Sequence, residues 1–196
     1  MSNIVKTQNE IAQSMVNKLQ QRINPLKKIS GKTALLLDTS SSMTLLTDGQ
    51  MRRIDALVLA LKPFENDNIR RFQFNNRFEE ITIETKLSPI GGTDLAHALH
   101  EIKQFDFQNI ILITDGEPDD KQTAMYEASQ LNATINVVFV GNPHHLEAIQ
   151  FCEDLAKKHN GQFASNPLEV KTLGLLPNTV RLMIGDGNES NKPIAL

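Results

Sequence analysis

The 196-residue chain has one cysteine, one tyrosine and no tryptophan. Cys152 alone closes no intrachain disulfide and builds no thiolate metal cage, so cysteine usage gives no sign of an oxidising compartment. An excess of one charge is also missing. The 20 Lys and Arg stand against 23 Asp and Glu, and the basic residues are scattered. This balance lacks the electrostatic footprint of a nucleic-acid binder. No stretch approaches the roughly 20 apolar residues that span a bilayer. Met1 to Glu10 mixes Asn, Lys, Gln and Glu without the apolar core of a secretory signal. These absences predict a cytoplasmic protein with no nucleic-acid partner and no membrane span. The length suits a single hydrophobic core.

What is present is an alternation of short apolar runs with helical stripes. Ile4, Ile11, Met15, Val16, Leu19 and Ile23 recur at helical spacing, and Asn24-Pro25 ends the pattern. Residues 1–31 therefore read as an amphipathic helical extension, docked on the domain's own core or offered to a partner. From Lys32 the pattern is that of a parallel sheet covered on both faces. Strands are predicted at Thr33 to Leu37, Arg70 to Phe74, Glu79 to Glu84, Ile110 to Ile113, Asn136 to Val140 and Gln162 to Ala164. Only Asn75-Asn76-Arg77 separates the second strand from the third, which permits a hairpin but not a crossover. Helices are predicted at Arg53 to Leu61, Thr93 to Gln104, Asp119 to Leu131 and His144 to Lys158. A further helical pattern from Leu168 to Ile184 is interrupted by Gly174 and Pro177. The expected fold is α/β and doubly wound: a Rossmann-like, six-stranded, mostly parallel sheet with one antiparallel edge strand and helices on both faces. Its domain would span 32–184, followed by a polar, disordered tail at 185–196.

Three segments carry oxygen-bearing side chains at places where strands end. The first strand runs into Asp38-Thr39-Ser40-Ser41-Ser42, placing Asp38, Ser40 and Ser42 at alternate positions. Gly91-Gly92-Thr93-Asp94 leads into a helix, and Ile111 to Ile113 runs into Thr114-Asp115-Gly116. Each is ordinary turn or capping chemistry when taken alone. Together they carry more weight, because ligands of open parallel sheets bind beyond the carboxyl ends of the strands, at the point where connections diverge to opposite faces. If the first strand lies beside the Ile110 strand, two carboxylates and three hydroxyls surround one crevice. An all-oxygen shell suits a hard divalent cation, Mg²⁺ in particular, with Mn²⁺ or Ca²⁺ as further candidates.

On these residues the chain resembles a von Willebrand factor type A domain with a metal-ion-dependent adhesion site. The family pattern of Asp-x-Ser-x-Ser, a later Thr and an Asp ending a further strand is matched by Asp38, Ser40, Ser42, Thr93 and Asp115. Met43, Gly91-Gly92 and the Thr114-Asp115-Gly116 setting fit as well, and the likeness covers roughly residues 33–182. The resemblance implies that Ser40, Ser42 and Thr93 ligate the metal through hydroxyls while Asp38 and Asp115 hold it directly or through waters. It also implies a non-enzymatic interaction domain whose cation accepts a carboxylate from a partner protein. The missing secretory signal and disulfide place the resemblance with the intracellular bacterial branch, whose members often work with AAA+ ATPases of the MoxR type. An adhesion protein exported by another route is the alternative within the family.

A Mg²⁺-dependent phosphohydrolase of the haloacid dehalogenase type also places an Asp at the end of its first strand. There the acid/base Asp follows two residues later, and this chain has Ser40 at that position. Asp119-Asp120 resembles that family's metal pair but sits at a predicted helix start, where acidic residues are favoured in any case. Ser30-Gly31-Lys32-Thr33 lacks the leading Gly of a phosphate-binding loop and precedes a strand instead of a helix. Cys152 falls on an apolar stripe with Leu146, Ile149, Leu155 and Ala156, as a buried structural thiol would.

Overall fold

The computed structural model describes residues 33–46, 52–61 and 69–165. The predicted helices at 1–31 and 168–184 and the polar tail lie outside these residues. The described elements run β1 (Thr33–Asp38), a 3₁₀ turn (Ser41–Thr44), α1 (Arg53–Leu61), β2 (Ile69–Phe74), β3 (Phe78–Ile81) and α2 (Leu95–Ile102). After a second 3₁₀ turn (Lys103–Phe105) come β4 (Asn109–Thr114), α3 (Lys121–Ser129), β5 (Thr134–Phe139), α4 (Leu146–Lys158) and β6 (Phe163–Ser165). The six strands pair in the order β3-β2-β1-β4-β5-β6. Only the β2–β3 hairpin is antiparallel, with Phe74 opposite Phe78, and the other pairs are parallel. This is the expected mostly parallel α/β sheet with one antiparallel edge strand.

All residues of β1 and β4 are buried, as strands covered on both faces require. Successive side chains of a strand point to opposite faces. On one face Ala34, Leu36, Phe72, Ile110, Leu112, Val137 and Phe139 join Leu95 and Leu99 of α2, Ala124 and Ala128 of α3, and Phe151 and Leu155 of α4. On the other face Leu35, Leu37, Ile111, Ile113 and Val138 join Met43 and, from α1, Ile54, Leu57 and Leu61. Each fully buried Leu, Ile or Phe contributes about 1.5 to 3 kcal/mol relative to exposure. The chain leaving β1 thus passes to the α1 face, and the chain leaving β4 passes to the opposite one. The divergence falls between β1 and β4.

Element ends differ from the sequence expectation where local hydrogen bonding intervenes. The third strand was expected at Glu79 to Glu84 but spans Phe78–Ile81. It stops because the Thr82 N–H donates to Thr85 Oγ1 and the Thr85 N–H to the Thr82 carbonyl, forming a turn. Helix α2 begins at Leu95 and not Thr93, since the Asp94 carboxylate accepts the His97 N–H and caps the helix there. Asp120 does the same for α3 by accepting from the Gln122 and Thr123 N–H groups, so Asp119 stays outside the helix. The Asn142 side chain turns the backbone at His144, and α4 starts at Leu146. Strand β5 starts two residues earlier than expected because Thr134 pairs with Asn109.

Candidate functional site

Asp38 ends β1, and Asp115 immediately follows β4, the strand paired beside it. Both carboxylates are fully buried, at 0% and 1% exposure. The Asp38 carboxylate is held from two sides. Its Oδ1 accepts the Ser40 N–H at 2.8 Å, and its Oδ2 accepts the Thr114 hydroxyl at 2.6 Å. Thr114 Oγ1 in turn accepts the Gly116 N–H at 3.0 Å, so one hydroxyl joins the ends of both strands. Burial, followed by the neighbouring Asp115 carboxylate, pushes the Asp38 carboxyl up to about 7.

The Ser loop is anchored from below and from the side. Met43 of its 3₁₀ turn is buried in the α1-side core, while the Thr39 hydroxyl donates to the Phe74 carbonyl at 2.9 Å. Above that anchor, Ser40 Oγ and Ser42 Oγ lie 3.0 Å apart. The structure therefore brings Asp38, Ser40 and Ser42 together at the end of β1, next to Asp115.

Asp115 is held differently. Arg53 of α1 donates from Nη1 to Asp115 Oδ2 at 2.9 Å, in an ion pair whose side chains are 9% and 0% exposed. Asp115 Oδ1 is buried with no hydrogen-bond partner among the described residues, and Arg53 Nε is in the same position. Orphaned buried polar atoms are uncommon in folded proteins. The turn after Asp115 requires glycine. Gly116 has φ +83, and a Cβ there would lie 2.9 Å from the Phe139 ring and 3.0 Å from the Ala148 carbonyl.

Thr93 is buried in the third loop, at 6% exposure. The Ser41 N–H donates to the Gly91 carbonyl and the Ile90 N–H to the Thr39 carbonyl, stitching this loop to the Ser loop. Asp119 clasps Thr93 by two bonds: its Oδ2 accepts the Thr93 N–H at 3.1 Å, and its own N–H donates to the Thr93 carbonyl at 3.0 Å. On the other side Asn76 Oδ1 accepts the Gly92 N–H at 2.6 Å. The structure thus places the Thr93 loop against the crevice through the backbone. The Thr93 hydroxyl makes no hydrogen bond to Asp38, Ser40, Ser42 or Asp115 among the described residues.

The crevice offers carboxylate and hydroxyl oxygens, and one carboxylate oxygen has no partner among the described residues. That donor set has the chemistry of a site for a hard cation. Among the described residues no group of three or more His, Cys, Asp or Glu gathers that could hold a metal ion, so a cation here would depend on the hydroxyls as well as the two carboxylates. Cys152 is buried and its thiol is pushed up to about 12, first by burial and then by the charges of Asp115 and Asp38, so it is an inert core residue.

Sequence reading missed Arg53, Asn76 and the clasp by Asp119. Arg53 left a signal, for it shares the four-residue spacing of Leu57 and Leu61 on the buried stripe of α1. The roles of Asn76 and Asp119 left none, because turn and helix-start chemistry already explains those residue types.

No protein-family model and no curated protein matches the chain. Solved structures do. The manganese-loaded TRAP protein of Plasmodium vivax superposes with a TM-score of 0.55 at 18% identity, over 78% of this chain and 72% of that one. The VWA domain of SpRpn10 gives 0.56 at 18% identity, over 81% and 98%. The conserved hypothetical protein BatB of Bacteroides thetaiotaomicron gives 0.56 at 17% identity, over 77% and 97%. Strand order, the divergence of connections between β1 and β4, and these likenesses agree that the chain has the von Willebrand factor type A fold.

Proposed function

We propose that this chain is a metal-dependent protein-interaction domain and not an enzyme. Asp38, Ser40, Ser42, Thr93 and Asp115 would hold a divalent cation, Mg²⁺ in the cell, with Mn²⁺ or Ca²⁺ as substitutes. The bound cation would supply an electrophilic position for a carboxylate of a partner protein. The observation that carries this reading is the buried Asp115 Oδ1, without a hydrogen-bond partner among the described residues and beside Asp38, whose strand runs on into the Ser40–Ser42 hydroxyl pair. Neutral hydroxyls neutralise a cation only in part, so an added anionic oxygen is favoured. That one protein of the same fold is manganese-loaded supports a cation here.

The chain's own residues do the positioning. Thr114 and the Ser40 N–H aim Asp38, Met43 fixes the Ser turn, and Asp119 with Asn76 fixes the backbone at Thr93. We place the protein in the cytoplasm, in a complex with an AAA+ ATPase of the MoxR type that offers the acidic residue. No helix among the described residues is long and apolar enough to cross a membrane.

Calorimetry with Mg²⁺ and with Mn²⁺ on the wild type and Asp38→Ala tests the reading. Binding by the wild type, weakened roughly 100-fold or more in the variant while its circular dichroism is kept, is the expected result. Absence of binding by the wild type would overturn it. A p-nitrophenyl phosphate assay run alongside would return the phosphohydrolase reading if turnover appeared and vanished with Asp38.

A further inference from the structure

Arg52 and Arg53 are adjacent in sequence and opposite in circumstance. Arg52 pairs with Asp55 in solvent, with side-chain exposures of 52% and 44%. Arg53 points inward with Leu57 and Leu61, is buried, and reaches Asp115. A buried ion pair seldom stabilises a fold more than apolar residues of similar volume would, and its guanidinium here keeps Nε without a partner among the described residues. Its placement is informative for a different reason: it charges the site.

We propose that Arg53 is the resident counter-ion of the candidate metal site, and that it weakens the hold on the cation so that a partner's carboxylate completes it. This inference rests on the function proposed above. As ligands of a cation, the Asp38 and Asp115 carboxylates would sum with Arg53 to a single negative charge. A divalent cation turns that into a single positive charge, which one carboxylate from a partner neutralises. Without Arg53 the loaded site is already neutral, and an incoming carboxylate leaves it anionic. The geometry gives Arg53 a second task. By occupying Asp115 Oδ2 it keeps that carboxylate oriented in the metal-free protein while Oδ1 stays available. Arg53 is thus a positioning residue that acts through Asp115.

The test uses the full chain with Mn²⁺ or Mg²⁺ alone as probe, comparing wild type, Arg53→Gln and Arg53→Lys by calorimetry and by thermal unfolding with EDTA or metal. Removing a positive charge beside a divalent cation is expected to tighten metal binding by about tenfold or more in Arg53→Gln. The metal-free form of that variant melts below the wild type, and added Mn²⁺ raises its melting temperature by more than it raises the wild type's. Arg53→Lys, which restores the charge without the fork, returns the affinity toward the wild-type value. Wild-type or weaker metal affinity in a folded Arg53→Gln would overturn the proposal and leave the metal reading standing. Failure of both Arg53→Gln and Arg53→Met to fold even with Mn²⁺, while Arg53→Lys folds, would overturn it in favour of a structural role. Absence of metal binding in every variant would overturn both.

Discussion

The two ends of the sheet contrast sharply. At the amino end lies a cavity of about 490 Å³ lined by Gln108, Ser129, Asn132, Lys158, His159 and Asn160 among others. These are loop and helix-end residues, and Gln108, Ser129, Asn132, Lys158 and Asn160 are exposed. At the carboxyl end Asp38, Thr39, Ser40, Arg53, Thr93, Thr114 and Asp115 are all buried. Elsewhere among the described residues the buried polar side chains are Thr33, Asn109 and Asn136. Burying a polar or charged group is costly unless its partners are in place, so such groups collect where structure or function holds them. The comparison separates an open, solvent-lined hollow from an end where polar groups are buried and organised. The organised polar burial lies at the opposite end from the cavity.

The strongest way to break the contrast is Gly116→Ala. A left-handed backbone angle and close contact with the Ala148 carbonyl and Phe139 make this end intolerant of a methyl group. A loss of roughly 2 to 4 kcal/mol is expected from urea unfolding. A change below that range would mean the turn relaxes freely and that the carboxyl end is less tightly organised than its burial suggests.

A smaller effect should appear on titration. The Asp38 carboxyl stands at about 7 in the folded chain against an ordinary 3.8, so the metal-free fold binds a proton that the unfolded chain has released. Stability from this group is full below the ordinary value and is lost as the pH rises toward and through 7. The slope is at most about 1.4 kcal/mol per pH unit. Urea midpoints in EDTA at pH 5 and pH 7.5 should show this loss in the wild type and a reduced loss in Asp38→Asn. Equal pH dependence of the two proteins would remove Asp38 as its source.

The least effect belongs to the amino-end cavity. Lys158→Ala is expected to change stability by no more than about 0.5 kcal/mol, since its side chain is exposed. Metal affinity measured by calorimetry should be unchanged, because the substitution lies at the other end of the sheet from Asp38. Altered affinity would join the two ends and undo the contrast.

Legibility in the sequence followed the range of the interactions. The central strands β1 and β4 were readable because burial on both faces makes them continuous apolar runs. The edge strand β3 is less legible, since its residues are partly or fully exposed and the Thr82–Thr85 turn competes for its end. Helix starts moved by two residues wherever Asp94, Asp120 or Asn142 turned the backbone locally. At the candidate site, the sequence singles out Asp38, Ser40 and Ser42 by their alternate spacing, and Asp115 by the strand before it and the glycine after it. Arg53 was not read as a site residue, because its partner stands 62 residues further along the chain.

Apolar periodicity and turn chemistry are local properties, since strand, helix and cap geometry relate residues a few positions apart. Those were enough to give the order of elements, the parallel sheet with its hairpin edge and the oxygen-bearing loops at strand ends. Charge and hydrogen bonding between distant residues depend on separation in space. Packing α1 on its own face of the sheet is what carried Arg53 to Asp115. Pairing β1 beside β4 set the Thr114 hydroxyl on Asp38, and closing the loops brought Asp119 to the Thr93 backbone.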